Sequence, residues 1–310
     1  MNCFRGRRRP SLACLASLVW LVCLSVMVVQ AADPIRLTHD GRMKFTPVFV
    51  DGRESLTYVD FENPKVFRLR TMNWETKETK VIHEAAPAPE FDPAYSADGN
   101  YFSFLRATGG LQVSLVIRNR KSNEEVLIPP EPGFSGYRTP AIAPDSSHML
   151  FSFANNFGQD IFRVEMNGQG RTALTGAKGI NIWPSYSPDG KKVLFTSTRD
   201  GNYELYEMKP DGSDIKRLTD SPYQDIRGQY SPDGKQIAFV SHRDGNAEIY
   251  IANADGTELR RVTRHEERDD YPTWHPDGKH LVCVAERDGS HDLYLLPLSA
   301  KQPLECGKTG

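Results

Sequence analysis

Trp183-Pro184-Ser185-Tyr186-Ser187-Pro188-Asp189-Gly190-Lys191 returns as Gly228-Gln229-Tyr230-Ser231-Pro232-Asp233-Gly234-Lys235, and again as Pro272-Thr273-Trp274-His275-Pro276-Asp277-Gly278-Lys279. Looser copies are Pro93-Ala94-Tyr95-Ser96-Ala97-Asp98-Gly99 and Pro140-Ala141-Ile142-Ala143-Pro144-Asp145-Ser146; Pro47-Val48-Phe49-Val50-Asp51-Gly52 is one residue shorter. The Asp positions 51, 98, 145, 189, 233 and 277 stand 47, 47, 44, 44 and 44 residues apart. A fixed period of this length marks one supersecondary unit repeated along the chain. Six such units are expected to fill residues 32–310 and leave no room for another domain.

Each unit reads as four short strands. Pro, Asp and Gly in the quoted turn supply the preset φ, the bridge conformation and the positive φ of a tight reversal. The second strand, as in Val193-Leu194-Phe195 or Ile237-Ala238-Phe239, lacks polar alternation and so is expected to be buried on both faces. It ends in hairpin chemistry: Arg199-Asp200-Gly201-Asn202, Arg243-Asp244-Gly245-Asn246 or Arg287-Asp288-Gly289-Ser290. The third strand (Glu204-Leu205-Tyr206, Glu248-Ile249-Tyr250, Asp292-Leu293-Tyr294) turns into a more polar fourth, Ile215-Lys216-Arg217-Leu218-Thr219 or Leu259-Arg260-Arg261-Val262-Thr263. A four-stranded sheet cannot bury both faces alone, but radial packing between like neighbours solves the problem. The fold class is all-β, a six-bladed β-propeller of four-stranded antiparallel blades.

Tyr186-Ser187-Pro188-Asp189-Gly190-Lys191, Arg199-Asp200-Gly201-Asn202, Leu205-Tyr206 and Arg217-Leu218-Thr219 together resemble the TolB-type propeller repeat. The resemblance covers all six units, most closely the last three, and implies a propeller, export and a binding role. Proteins of the TolB type carry an α/β domain ahead of the propeller. Only residues 32–43 precede the first repeat here, so that domain is expected to be absent.

Arg5, Arg7, Arg8 and Arg9 precede an apolar run over residues 11–29, followed by Gln30-Ala31-Ala32. This is the pattern of a secretory signal, with cleavage expected after Ala31; the run is long enough that an uncleaved anchor is the alternative. Either way the body is exported, to the periplasm or cell envelope, and touches membrane only through that segment. The chain has a formal charge of −2, and residues 1–31 contain no Asp or Glu, which leaves the body at −6. An acidic body lacks the footprint that binding a phosphate backbone requires, so nucleic acid is excluded as a partner.

The search for catalytic chemistry returns little. Gly133-Phe134-Ser135-Gly136-Tyr137 has the wrong glycine spacing for a nucleophile elbow. His265-Glu266-Glu267-Arg268-Asp269 lacks the second histidine of a zinc helix. His242 and His275 read as solvated or turn histidines. The repeated acids Asp160, Glu204, Glu248 and Asp292 are assigned to structural pairing with Arg199, Arg243 and Arg287. No catalytic residue, metal ligand or cofactor is assigned.

The inter-unit connections 84–92, 131–138, 176–183, 220–228 and 264–271 do not repeat, although the strands do. They should share one rim with the Arg-Asp-Gly turns, around the mouth of the central channel. Loops on a rigid scaffold concentrate binding residues. The candidate partner-binding rim is therefore Asp92, Tyr137, Arg138, Asn181, Trp183, Tyr223, Asp225, Arg227, Asp269 and Asp270. Aromatic, Arg and carboxylate groups together suit a protein or glycan ligand. The reading is an exported non-catalytic propeller that binds an envelope protein; the alternative is a glycan-binding or metal-assisted glycan-cleaving propeller.

Three structural expectations accompany it. Pro34-Ile35-Arg36-Leu37-Thr38 copies the fourth-strand pattern and is expected to complete the last blade, in competition with Pro303-Leu304-Glu305-Cys306. Asp225, Asp269 and Asp270 are expected to converge on one cation or one basic side chain. Cys283 and Cys306 are expected to remain unbridged, because second and fourth strands lie ~9–10 Å apart, beyond the reach of a disulfide.

Overall fold

The computed structural model describes residues 33–298, apart from 51, 53, 64–65, 85–87, 110–111, 132–135, 156–157 and 177. The secretory signal expected at residues 1–31, the competing strand at residues 303–306 and Cys306 lie outside the described residues.

Among the described residues, twenty-four strands form six four-stranded antiparallel sheets. Blade 1 runs outward through β2 (Lys44–Val50), β3 (Ser55–Asn63), β4 (Val66–Asn73) and β5 (Thr79–Val81). Blade 2 is β6 (Glu90–Tyr95), β7 (Tyr101–Gly109), β8 (Gln112–Asn119) and β9 (Glu125–Ile128). Blade 3 is β10 (Tyr137–Ile142), β11 (His148–Asn155), β12 (Gly158–Glu165) and β13 (Thr172–Ala173). Blade 4 is β14 (Asn181–Tyr186), β15 (Val193–Ser197), β16 (Glu204–Met208) and β17 (Lys216–Arg217). Blade 5 is β18 (Asp225–Tyr230), β19 (Gln236–Ser241), β20 (Glu248–Asn253) and β21 (Arg260–Arg261). Blade 6 takes β22 (Asp269–Trp274), β23 (His280–Arg287) and β24 (Ser290–Pro297) from the end of the chain, and β1 (Ile35–Arg36) from its beginning.

The N-terminal segment therefore supplies the outer strand of the last blade. Ile35 pairs with Leu295 and Arg36 with Tyr294. Beside them, Thr38 Oγ1 accepts the Leu293 amide at 3.0 Å and donates to Asp292 Oδ1 at 2.6 Å. Blade 4 makes the same bonds from its own chain: Thr219 Oγ1 accepts the Leu205 amide at 2.9 Å and donates to Glu204 at 2.5 Å. The Arg-Leu-Thr triplet is thus a strand-docking device, and its copy near the start of the chain closes the ring.

The core is distributed between blades rather than within them. The described residues give six clusters, one per interface: Phe102 and Phe104 of blade 2 pack with Val59 and Leu69 of blade 1, and Phe195 of blade 4 with Leu150 of blade 3. The sixth cluster joins Val282 and Leu293 of blade 6 to Leu56, Tyr58 and Met72 of blade 1 through Leu37. Every residue of β15 is buried, as the unalternating apolar pattern requires. Burying Phe195 or Phe239 completely contributes about 1.5–3 kcal/mol each. Cys283 occupies the corresponding place in blade 6, fully buried and free, and burial pushes its thiol pKa well up. Positions following the repeat Asp carry positive φ in every blade (Gly52, Gly99, Ser146, Gly190, Gly234, Gly278); serine serves in blade 3.

Candidate functional site

The third residue of each innermost strand is Thr46, Asp92, Thr139, Trp183, Arg227 or Tyr271. All six adopt the left-handed conformation, with φ between 43° and 56°. Each sits in a register shift: in β14, Ile182 pairs with Thr196 and Ser185 with Leu194, so Trp183 and Pro184 share one position opposite. This is a β-bulge, which bends the strand and re-aims a side chain. Five of the six precede proline (Pro47, Pro93, Pro140, Pro184, Pro272), which steers the preceding residue out of the right-handed helical region. An L-residue held left-handed costs roughly 1–2 kcal/mol, and here the strain recurs once per blade around one circle. The six residues line a central cavity of about 450 Å³.

The ring has two chemical sides. On blades 4–6 the Arg227 guanidinium lies between the rings of Trp183 and Tyr271, 4.3 Å from each centroid. Arg227 also reaches Asp270 Oδ1 at 3.1 Å and donates to the Tyr271 hydroxyl at 3.2 Å. Its Nε is buried without a hydrogen-bond partner. Across the channel Asp92 accepts the Thr139 amide at 3.0 Å. Burial pushes the Asp92 carboxyl pKa up, against that bond and the charges of Arg138 and Arg227. An aromatic-clamped cation and a half-buried acid thus line the same cavity.

The ten rim candidates separate by their place in the strand. Asp92, Trp183 and Arg227 are in the ring, and Arg138 and Asp270 sit one residue before a ring member. Tyr223 is exposed in the connection ahead of blade 5, its carbonyl held by Asn202 Nδ2 at 2.7 Å. Tyr137, Asn181, Asp225 and Asp269 are first residues of innermost strands and are buried at 0–1% exposure. Tyr137 packs in the blade 2–3 core and donates to the Pro129 carbonyl. Asn181 binds Arg199 at 3.0 Å, Asp225 binds Arg243 at 2.8 Å and Asp269 binds Arg287 at 2.7 Å. The last three anchor the hairpin arginines, and none of the four faces an open surface.

Two expectations are corrected. Asp225, Asp269 and Asp270 do not share one partner, because each carboxylate is taken by a different arginine, in its own blade or the preceding one. Of the repeated acids, Glu204, Glu248 and Asp292 do not pair with Arg199, Arg243 and Arg287 either. Glu204 takes Arg217 at 3.1 Å and Glu248 takes Arg261 at 2.8 Å, while Asp292 takes Arg36 Nε at 3.1 Å. The outer strand docks onto the start of the third, so its arginine reaches the acid first. Sequence reasoning missed Thr46, Thr139 and Tyr271; the recurring residue-before-proline at the head of each unit was the available signal.

The common rim is as expected. Asn202 and Asn246, in the second-to-third-strand turns, donate to carbonyls of the following inter-blade connection: Ser221 and Tyr223, and His265 and Glu267.

Comparison with known proteins follows the same lines. The family model for the TolB β-propeller domain matches residues 56–229 and 220–306. No curated relative matches the sequence. A protein of Agrobacterium tumefaciens assigned as a TolB is 25% identical, with a TM-score of 0.60, over 70% of this chain and 76% of its own. TolB from Acinetobacter baumannii is 21% identical, with a TM-score of 0.64, over 79% of this chain and 64% of its own. Oligogalacturonate lyase from Vibrio parahaemolyticus is 14% identical, with a TM-score of 0.58, over 84% of this chain and 92% of its own, a likeness of fold alone.

Proposed function

The chain belongs to the TolB β-propeller domain family, and from that premise we propose that it is an exported, non-catalytic module that binds an envelope protein at its channel mouth. The observation that carries this reading is the ring of six left-handed residues. Strain that recurs at one place in every blade and points side chains into one opening is the kind that persists where function needs it. The chemistry of the ring suits an extended peptide segment: Arg227 for a carboxylate or carbonyl, Asp92 for an amide or cation, and aromatic edges for apolar side chains. The aromatic faces that flank Arg227 are covered by its guanidinium, which leaves them less suited to stacking on a sugar ring. Export rests on the basic and apolar character of residues 1–31.

The test is capture from envelope extract with the wild-type chain, with Trp183→Ala and Arg227→Ala, and with Lys191→Ala as a control on the opposite, exposed turn. Circular dichroism verifies that each variant is folded. The reading expects one protein retained by wild type and Lys191→Ala and lost by both ring variants. Retention by the ring variants, or retention of an acidic oligosaccharide in place of a protein, overturns it.

A further inference from the structure

The first-to-second-strand turn of blade 6 departs from its sisters in two side chains. In blades 4 and 5, Ser187 and Ser231 donate to Asp189 and Asp233 at 2.7 and 2.6 Å, and accept the amides of Lys192 and Gln236 at 3.0 Å. In blade 6 the serine position is His275 and the position of Lys192 and Gln236 is His280. The hairpin brings both imidazoles onto one carboxylate. His275 Nδ1 lies 3.0 Å from Asp277 Oδ1, and His280 Nδ1 lies 2.8 Å from Asp277 Oδ2.

We propose that His275, Asp277 and His280 form a zinc-type metal site that clasps blade 6 to blade 1. The three ligand atoms lie within 4.8 Å of one another. Donors on a tetrahedral zinc with bonds of ~2.0–2.1 Å stand about 3.3 Å apart, so the two His–Asp contacts need part by only a few tenths of an ångström while the widest pair closes from no more than 4.8 Å. Two imidazoles and one carboxylate suit zinc, nickel or copper rather than magnesium or calcium.

The turn's own hydrogen bonds carry a conflict. The Asp277 amide donates to His275 Nδ1 at 3.2 Å, which requires a lone pair there, yet the same nitrogen faces a carboxylate oxygen, which requires a proton. A cation ligated by that lone pair and by the carboxylate oxygen removes the opposition, in exchange for the long amide bond. His275 is also held in place before any ion arrives. It is 6% exposed, edge-on to Phe49 at 4.9 Å and 5.0 Å from Trp74, and its Nε2 is buried without a hydrogen-bond partner. Phe49 belongs to β2 and Trp74 follows β4, so the ring is gripped by blade 1 while its chain belongs to blade 6. Asp277 and His280 are half-buried and admit an ion and its remaining water. An ion bound here stabilises the seam that β1 closes, by the linkage that favours any state that binds ligand.

The test is calorimetric titration of the untagged full chain with zinc chloride in a non-coordinating buffer, with thermal melts in parallel. One saturable site and a rise in Tm are expected with zinc, and neither with magnesium or calcium. The double variant His275→Ser with His280→Gln rebuilds the turn of blade 5 and should bind zinc more than about tenfold more weakly. His280→Gln alone gives the same readout if the double variant fails to fold. Absence of saturable zinc binding by the wild-type chain, or undiminished binding by a folded variant, overturns the proposal.

Discussion

Replacing Thr38 with valine removes one hydroxyl and almost no volume, which makes it a clean probe of the ring seam. That hydroxyl accepts the Leu293 amide at 3.0 Å and donates to Asp292 at 2.6 Å. Both partners are buried, so Thr38→Val leaves an amide without an acceptor and a carboxylate with one donor fewer. A buried polar group stripped of its partner costs about 1–3 kcal/mol; Arg36 and Lys44 still hold Asp292, which points to the middle, about 2 kcal/mol. For a domain of this size that corresponds to a fall in Tm of roughly 3–4 °C. Thr219→Val in blade 4 breaks the matching pair of bonds and should lower Tm comparably. The two should differ in kinetics. The outer strand of blade 6 is the one that joins distant parts of the chain, so Thr38→Val should speed unfolding in urea more than Thr219→Val. Equal unfolding rates, or a Thr38→Val chain as stable as wild type, would refute the seam argument.

Burial raises the Asp92 carboxyl above its ordinary pKa, so the native state binds the proton more tightly than the unfolded chain. The ionised group therefore opposes folding above its native pKa, and the penalty fades as pH falls towards the ordinary carboxylate value of ~3.9. Asp92→Asn should accordingly raise Tm at pH 7, with the gain shrinking in melts taken at progressively lower pH; a gain that grows on acidification contradicts the assignment. Thr46→Gly relieves a β-branched residue at φ 43° and removes a buried hydroxyl without a hydrogen-bond partner, and should stabilise the chain by about 1 kcal/mol in urea titration; destabilisation would show that the bulge is not strained there. Cys283, fully buried with its thiol pKa raised, should resist alkylation in the folded chain and react on unfolding, as peptide mass spectrometry would record; modification in the folded state would contradict its placement.

The fold was legible because its information is local. Pro-Asp-Gly and Arg-Asp-Gly turns name their own conformations, and the unalternating second strand names its burial. Even the closing strand could be read, since Arg36-Leu37-Thr38 carries the docking triplet of Arg217-Leu218-Thr219. The site was legible only in part. Asp92, Trp183 and Arg227 stand out as polar or aromatic residues in variable connections, but Thr46 and Thr139 look ordinary. Their role comes from a backbone conformation that repeats while the side chain changes. Tyr137, Asn181, Asp225 and Asp269 carry the same residue types as a binding surface, yet two positions along the strand decide between channel and core. His275 and His280 look scattered in sequence; the hairpin converges them on Asp277.

The claim that most needs testing is that the ring at the channel mouth is where a protein partner binds. A photo-reactive amino acid placed at Trp183, with a second chain carrying it at Lys191 on the opposite turn, tests this in intact envelopes. The account predicts a discrete, protease-sensitive adduct from position 183 and none from 191. Adducts from 191 alone, or none from 183 while the chain is folded and exported, would contradict it.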